Sequence, residues 1–297
     1  MNVIVLSKSP WIYSTEIILK ELNRRGIEAK VINPLECNVH IEGNNSFVLY
    51  EGKLIDKTDF IIPRIGSASH FYGLYVVQAL EEKGFKVLNS YKGLLNCRNK
   101  LIIYNKLVQC KLPTAKTTLV KTTQNLDYIL NNLNGFPIII KLTRGSQGKG
   151  VMIADNINTL RSIIDTMSLL EEDIILQEYF ETSPKYSDIR VYVLNKSVIG
   201  ATQRINFFDF RSNTHCGGTM KLYKINTLIE NIALKAASYF DLNFCSIDFL
   251  ITDGGPKIIE INSTPGFEKV ETEAGFKISS LLADYIEHKL CTTNIKT

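Results

Sequence analysis

The residues of this sequence that point most directly to chemistry are two carboxylates and an amide near its end. Asp248 lies in one apolar segment, and Glu260 and Asn262 lie in the next. The segment Asp253-Gly254-Gly255-Pro256 between them is a strong turn signal and predicts a β-hairpin. The hairpin would place Asp248 opposite Glu260, within one residue of register, with their Cβ atoms ~4.5–5.5 Å apart. Because facing carboxylates repel without a cation and magnesium prefers oxygen ligands, we predict a metal site at these three residues. The alternative is an exposed hairpin with solvated polar side chains, whose sole buried face is that of Ile247, Phe249, Ile259 and Ile261.

Lysines and a glycine-rich loop suggest a phosphate site. Lys141 ends the apolar run that starts at Phe136, and the loop Gly145-Ser146-Gln147-Gly148-Lys149-Gly150 follows it. Backbone N–H groups of such a loop between two strands can contact phosphates, although the loop lacks the Walker A pattern. An ordinary hairpin turn is the alternative. Lys100 opens a predicted helix, where a solvated helix face is the alternative.

Two further segments carry polar residues next to predicted strands. Gln177-Glu178-Tyr179-Phe180 ends a strand at what reads as a connection between domains, where an apolar slot could hold adenine. Asp188 and Arg190 share one face of the next strand, and Arg204 and Arg211 follow it. Surface ion pairs, which contribute little energy, are the alternative for the arginines.

The elements that position these residues read as α/β. In the first ~90 residues, apolar strands alternate with amphipathic helices, an order that argues for a parallel sheet. The predicted strands there are Val3–Leu6, 29–32, 60–62 and 86–88. The chain is predicted to have three parts, residues 1–92, 93–178 and 179–297.

Composition excludes several classes of protein. The chain has 297 residues and a net charge of +4, with no block of five or six like charges, so neither nucleic acid nor an electrostatic tail is indicated. No run of 18 apolar residues predicts a transmembrane helix. Six cysteines occur without a C-x-x-C pair, a pattern that suits a reducing cytosol. We therefore expect a cytoplasmic protein with no nucleic-acid or membrane partner, and a homo-oligomer remains one option.

Taken in order, these residues resemble the ATP-grasp superfamily, and within it the RimK group of amino-acid ligases. The resemblance spans roughly residues 1–290, and its motifs are specific as an ordered set rather than singly. The matching segments are Pro63-Arg64-Ile65-Gly66-Ser67-Ala68, Phe71-Tyr72-Gly73, Lys100, Lys141-Leu142, Gly145-Ser146-Gln147-Gly148, Gln177-Glu178-Tyr179, Asp188-Ile189-Arg190, Phe210-Arg211-Ser212-Asn213 with His215 and Gly217-Gly218, and the run from Glu260 to Glu268.

The resemblance implies an ATP-grasp fold and a set of ligands. Residues 1–92 would form a pre-ATP-grasp domain, and ATP would lie between a central subdomain (93–178) and a C-terminal subdomain (179–297). Magnesium, as two ions with manganese as a substitute, would bind Asp248, Glu260 and Asn262. The residues implied to contact the nucleotide are Lys100, Lys141, Gln147, Glu178, Tyr179, Asp188, Arg211, Ser212 and Asn213.

The implied activity is an ADP-forming ligation of a carboxylate to an amine through an acyl phosphate. Catalysis of this kind depends on positioning and charge stabilisation, so Arg190, Arg204 and Arg211 are predicted to be catalytic. The metal ions and lysines already balance the charge of the triphosphate, so these arginines add further positive charge. This surplus predicts that they bind the carboxylates of the other substrates. The expected substrates are ATP, an acidic amino acid (glutamate) and an acceptor carboxylate on a protein tail or peptide. The alternative is that one or two of these arginines pair with Asp188 or Asp209.

Other functions remain as alternatives. The same chemistry could act on a coenzyme, such as a pterin or deazaflavin, or on an amino-acid precursor. A non-catalytic nucleotide sensor would need fewer charged residues, and an NAD(P) oxidoreductase is disfavoured because no G-x-G-x-x-G follows Val3–Leu6. Cys216 and Arg144 stand where other residues are frequent in the family. These departures put the identity of the acceptor or of the amino acid in doubt more than they do ATP binding.

Overall fold

The structure is a computed structural model that describes residues 1–66, 70–145, 148–211 and 218–294. Several residues singled out by the sequence lie outside the described residues: Ser67, Ala68, Ser146, Gln147, Ser212, Asn213, His215, Cys216 and Gly217.

The first part of the chain is built on a parallel sheet of order β2–β1–β6. Its elements are β1 (Asn2–Leu6), α1 (Tyr13–Arg24), β2 (Glu28–Ile32), β3 (Cys37–Glu42), β4 (Asn45–Tyr50), β5 (Lys53–Leu54), β6 (Phe60–Pro63), α2 (His70–Glu82) and α3 (Tyr91–Asn96). Val3 pairs with Ala29 on one side and with Phe60 on the other, both in parallel. The predicted parallel sheet is confirmed, because buried apolar strands alternate with helices that cover them.

Two features of this part differ from the prediction. The expected strand at 86–88 makes only an isolated parallel bridge between Ile61 and Val87. The antiparallel ribbon β3–β4–β5 was not predicted. Strand β3 does alternate apolar Cys37, Val39 and Ile41 with polar residues, so a strand signal was present in the sequence and was not used.

The central part is an antiparallel sheet of order β7–β10–β8–β9, covered by helices. Its elements are α4 (Lys100–Gln109), β7 (Thr117–Val120), α5 (Leu126–Asn132), β8 (Ile138–Leu142), β9 (Val151–Ala154), α6 (Ile157–Leu169) and β10 (Ile174–Glu178). Helix α6 was not predicted. Its capping signal is present, since the Asn156 side chain accepts a hydrogen bond of 2.9 Å from the Thr159 amide.

The last part is an antiparallel sheet of order β13–β12–β11–β14–β15. Its elements are β11 (Ser187–Leu194), β12 (Ser197–Ile205), β13 (Thr219–Leu222), α7 (Thr227–Tyr239), β14 (Phe244–Thr252), β15 (Gly255–Asn262), α8 (Glu268–Thr272) and α9 (Ile278–Asn294). The predicted hairpin is therefore confirmed as β14–β15, with its turn directly before Gly255.

A β-bulge interrupts this hairpin beside the candidate site. Asp248 pairs with Glu260, whereas the next residue, Phe249, pairs with Ile258, so Ile259 is the extra residue. The bulge lets Ile258 and Ile261 both enter the buried core although they are three positions apart. The alternative, which grouped Ile259 with Ile247, Phe249 and Ile261 on one buried face, is wrong for this reason.

Helix α9 leaves the last sheet and packs against the first part of the chain. Its residues Leu282 and Ile286 belong to the same buried cluster as Val3 and Ile18. Arg25, next to α1, bonds to Asp284 at 2.5 Å. The two ends of the chain therefore share one core.

The predicted boundaries at residues 92 and 178 stay predictions. Within the described residues, no helix is long and apolar enough to cross a membrane.

Candidate active site

The candidate site is a row of polar side chains across the C-terminal sheet. Strand register places Thr202, Arg190, Asp248 and Glu260 side by side on β12, β11, β14 and β15. Asn262 is two residues beyond Glu260 and therefore shares its face. The predicted pairing of Asp248 with Glu260 is confirmed, because the glycine turn and the bulge bring the two strands into this register.

Asp248 is held by two arginines. Arg190 donates to its two oxygens from Nε (2.7 Å to Oδ1) and Nη2 (2.6 Å to Oδ2), and Arg204 Nη2 donates to Oδ2 at 2.8 Å. Burial alone would raise the pKa of Asp248, but the two guanidinium groups outweigh it and lower that pKa to about 2. A carboxylate offers about four lone-pair positions, so these three bonds leave Asp248 with room for one more ligand, on Oδ1.

Arg204 also forms a bidentate pair with Asp188. Its Nε and Nη2 lie 2.6 Å from the two oxygens of Asp188, and both side chains are 4% exposed. Arg211 likewise pairs with Asp209, at 2.5 Å between Nη2 and Oδ2. The alternative in which these arginines pair with Asp188 and Asp209 is therefore the arrangement in the structure. The premise of surplus arginine charge is wrong for Arg204 and Arg211, because nearby acids already neutralise them.

Lys141 on β8 and Tyr104 on α4 approach the same row. Lys141 Nζ lies 3.4 Å from the Tyr104 hydroxyl, which donates to the Ile259 carbonyl at 2.7 Å. Burial lowers the pKa of Lys141 to about 8, although the charges of Glu260 and Asp248 oppose the shift. Tyr104 thus connects the predicted phosphate lysine to the bulge that positions Glu260.

Lys100 stands at the start of α4 beside the glycine-rich loop. Its Nζ donates to the Gly145 carbonyl at 3.0 Å, and its backbone amide donates to the Thr143 carbonyl at 2.9 Å. Burial lowers its pKa, partly offset by Glu260 and reinforced by Lys141. Two lysines therefore converge on Glu260 from the central part of the chain.

A small cavity of about 150 Å³ lies between the central and C-terminal sheets. Its apolar lining includes Ala115, Ile139, Val151, Leu250 and Ile259. Other lining residues are Lys100, Lys141, Glu178, Tyr179, Asp188, Arg204, Arg211 and Glu260, which brings the described members of the predicted nucleotide set together. A flat aromatic base suits such an apolar slot with a few polar groups at its edge.

Glu178 has a structural function at this slot. Its carboxylate accepts hydrogen bonds of 2.8 Å from the Lys116 amide and 2.8 Å from Asn134 Nδ2. Its side chain is thereby fixed to the central part, so its backbone and its neighbour Tyr179 are the groups best placed to meet a base.

A larger cavity of about 960 Å³ adjoins the small one. The residues that line both cavities are Lys100, Gly145, Arg204 and Glu260. Asn262, Arg98 and the first part of the chain, at Tyr13 and Gly66, also line the large cavity. The phosphate and metal candidates therefore stand where the two cavities meet.

The predicted metal ligands fit a magnesium ion in their chemistry. Within the described ranges, no group of three or more His, Cys, Asp or Glu could hold a metal; the predicted set instead has two carboxylates and an amide. Asn262 Nδ2 is buried without a hydrogen-bond partner among the described residues, and an amide can turn its oxygen to a cation. Magnesium commonly uses one or two carboxylates and completes its shell with phosphate and water.

Sequence comparison identifies the family. Residues 97–286 match the RimK-like ATP-grasp domain, and residues 1–94 match the RimK PreATP-grasp domain. A relative named probable alpha-L-glutamate ligase, from Maridesulfovibrio salexigens, is 35% identical over 298 aligned positions, which cover 100% of this chain and 99% of the relative. The chain belongs to the RimK-like ATP-grasp family. The predicted family and enzyme class, a ligase that forms amide bonds, are confirmed.

Solved structures show the same fold. The ATP-grasp ligase PsnB, complexed with minimal precursor, Mg and ADP, has a TM-score of 0.76 at 20% identity and covers 97% of each chain. The D-alanine–D-alanine ligase from Bacillus anthracis, complexed with ATP, has a TM-score of 0.70 at 16% identity and covers 100% of this chain and 99% of its own. The predicted ATP-grasp fold is confirmed.

Three side chains of this RimK-like protein were not predicted to matter. Tyr104 supports Lys141 and the bulge, as described above. Arg64 donates to Ser14 Oγ and to the Pro265 carbonyl, both at 2.9 Å, and so ties the first part of the chain to the segment after β15. Arg98 lines the large cavity. The sequence could have identified Arg64, because it belongs to a motif that carries the family resemblance. For Tyr104 and Arg98, the only sequence feature that could have identified them is their proximity to Lys100.

Proposed function

We propose that this protein is an ADP-forming ligase that joins glutamate to a carboxylate of a peptide or protein tail. The observation that carries the proposal is the junction of the two cavities at Lys100, Arg204 and Glu260. ATP in the small cavity would present its γ-phosphate at this junction, and the two substrates would enter through the large cavity.

The predicted phosphate and metal ligands and two of the arginines then have defined functions. Lys100 and Lys141 would bind phosphate oxygens, and Glu260 and Asn262, with the remaining oxygen position of Asp248, would hold magnesium. Bound magnesium would neutralise charge on the β- and γ-phosphates. Arg190 and Arg204, held in place by Asp248 and Asp188, would offer their remaining N–H donors to the acyl phosphate.

The reaction balances without a protein nucleophile. A carboxylate oxygen attacks the γ-phosphorus, the bond to ADP breaks, and an acyl phosphate forms. The amine of the second substrate then attacks the acyl carbon, phosphate leaves, and the amine loses a proton. The name of the curated relative supports glutamate as the amine, and PsnB with its bound precursor makes a peptide the first acceptor to test.

The test is incubation of the purified protein with ATP, Mg²⁺, isotope-labelled glutamate and peptides that end in acidic residues. We expect ADP and phosphate in equal amounts, together with a peptide heavier by one labelled glutamyl residue in the mass spectrum. Labelled glutamine in place of glutamate is the matched control. Formation of AMP would contradict the acyl-phosphate route, and transfer of glutamine in preference to glutamate would contradict the substrate.

A further inference from the structure

We propose that Arg98 binds a substrate carboxylate in the large cavity and thereby selects acidic substrates. This inference rests on the proposed function and adds the residue that recognises the acid. Arg98 lines the large cavity and stands two positions before Lys100, which borders both cavities. A carboxylate beside Arg98 would therefore lie in the same cavity as the Glu260 and Asn262 side chains.

The hydrogen bonds of Arg98 leave most of its donors available. Its guanidinium has five N–H donors. Nη2 donates to the Ile65 carbonyl at 3.0 Å, and Nε is buried without a partner among the described residues. Because Nε is buried, a ligand in the cavity would meet the remaining Nη1 and Nη2 donors.

The charge of Arg98 is also uncompensated in the described part of the chain. Arg190 and Arg204 in the same cavity pair with Asp248 and Asp188, whereas no ion pair joins Arg98 to an acid among the described residues. Burial correspondingly lowers the pKa of Arg98, with only the Cys97 thiol opposing the shift. A bound carboxylate would supply the missing opposite charge, and the planar guanidinium matches its geometry.

The guanidinium of Arg64 adds positive charge near the side of the large cavity that Arg98 lines. Arg64 precedes Ile65, whose carbonyl accepts the Arg98 hydrogen bond. Its Nε is likewise buried without a partner within the described ranges. Burial alone lowers the pKa of Arg64 to about 10. Arg64 donates to Ser14 and Pro265, which line the large cavity, and does not itself line it, so Arg98 is the side chain that contacts the ligand.

The test compares acids with their amides in Arg98→Gln and Arg98→Lys. One arm uses glutamate against glutamine as the incoming amino acid; the other uses acceptor peptides that end in glutamate against those that end in glutamine. We expect Arg98→Gln to lower kcat/KM for the acid roughly 10- to 100-fold, as for loss of a charge-assisted hydrogen bond. The amide should change less than about threefold, and the nucleotide Kd less than about twofold. A loss in the first arm assigns the carboxylate to the amino acid, and a loss in the second assigns it to the acceptor.

The matched control is Arg144→Gln. Arg144 lines the same cavity but is exposed and lies over the Phe71 ring, 5.5 Å from its centroid, so it should lose less preference for the acid. If Arg98→Gln does not fold, the same criterion applies to Arg98→Lys, which keeps the charge but not the planar fork. Equal losses for acid and amide, or a larger loss in Arg144→Gln, would overturn the inference. A wild type that forms no amide bond would refute both proposals, whereas an active wild type with unchanged preferences in the variants refutes only this one.

Discussion

The substitution Asp188→Asn separates a structural function of Asp188 from the predicted contact with the nucleotide. Asp188 and Arg204 are each 4% exposed, and two hydrogen bonds of 2.6 Å join them. Hydrogen bonds to charged groups contribute ~1.5–3 kcal/mol each. Asparagine keeps one acceptor, and Arg204 keeps its 2.8 Å bond to Asp248. We therefore expect a loss of about 2–3 kcal/mol, below the ~3–5 kcal/mol for breaking an isolated buried pair.

The assay is thermal unfolding together with calorimetry of a non-hydrolysable ATP analogue. For a chain of 297 residues, a loss of this size corresponds to a decrease in Tm of roughly 3–5 °C, with nucleotide affinity reduced less than the stability. The matched control is Asp209→Asn, whose pair with Arg211 is more exposed (23% and 33%) and is worth under ~1 kcal/mol. An unchanged Tm combined with lost nucleotide binding would refute the structural reading and restore Asp188 as a nucleotide contact.

Three other substitutions test the row of charges. Glu260→Gln should reduce kcat at least ~100-fold without lowering Tm by more than a few degrees, because it removes a metal-ligand charge; near-normal turnover would end the metal assignment. Lys141→Met should weaken binding of a metal-free ATP analogue. In the wild type the pKa of Lys141 is about 8, so the protonated form that binds phosphate falls about tenfold between pH ~7 and pH ~9. The Kd of the analogue should therefore rise over this pH range. The Kd of the Lys141→Met variant should not change with pH in this way. Tyr104→Phe should cost ~1–2 kcal/mol in unfolding free energy by leaving the Ile259 carbonyl unpaired, and an unchanged denaturation midpoint would contradict its structural function.

The same pKa shift has a definite consequence for stability. Burial disfavours the charged form of Lys141, so the folded state holds its proton less tightly than the unfolded chain does. The cost is present in full below a pH of about 8 and disappears as the pH rises towards ~10.4, the ordinary pKa of lysine. Taken alone, Lys141 should make the wild type more stable relative to Lys141→Met as the pH rises through this range.

The hairpin that carries Asp248 and Glu260 could be predicted because its signals are local. Two glycines define the turn, and period-two alternation fixes the faces on either side. The bulge at Ile259 could not be predicted, since it depends on Ile258 and Ile261 both entering a core formed with distant elements. Local pattern thus determines which residues face each other, whereas tertiary packing determines the exact register beyond them.

The partners of the arginines show a second limit of sequence reasoning. Sheet order places β11 between β12 and β14, so Asp248 accepts bonds from Arg190 and also from Arg204, which lies 44 positions away in the chain. A count of charges along the sequence treats these groups as independent and therefore overestimates the positive charge offered to substrates. Once the pairs are assigned, the charges left at the two cavities include those of Glu260, the two lysines, Arg98 and the exposed Arg144. Glu260 and the lysines are proposed to meet metal and phosphate, and Arg144 lies over the Phe71 ring. The partly buried Arg98 is therefore the group whose charge a substrate carboxylate would match best.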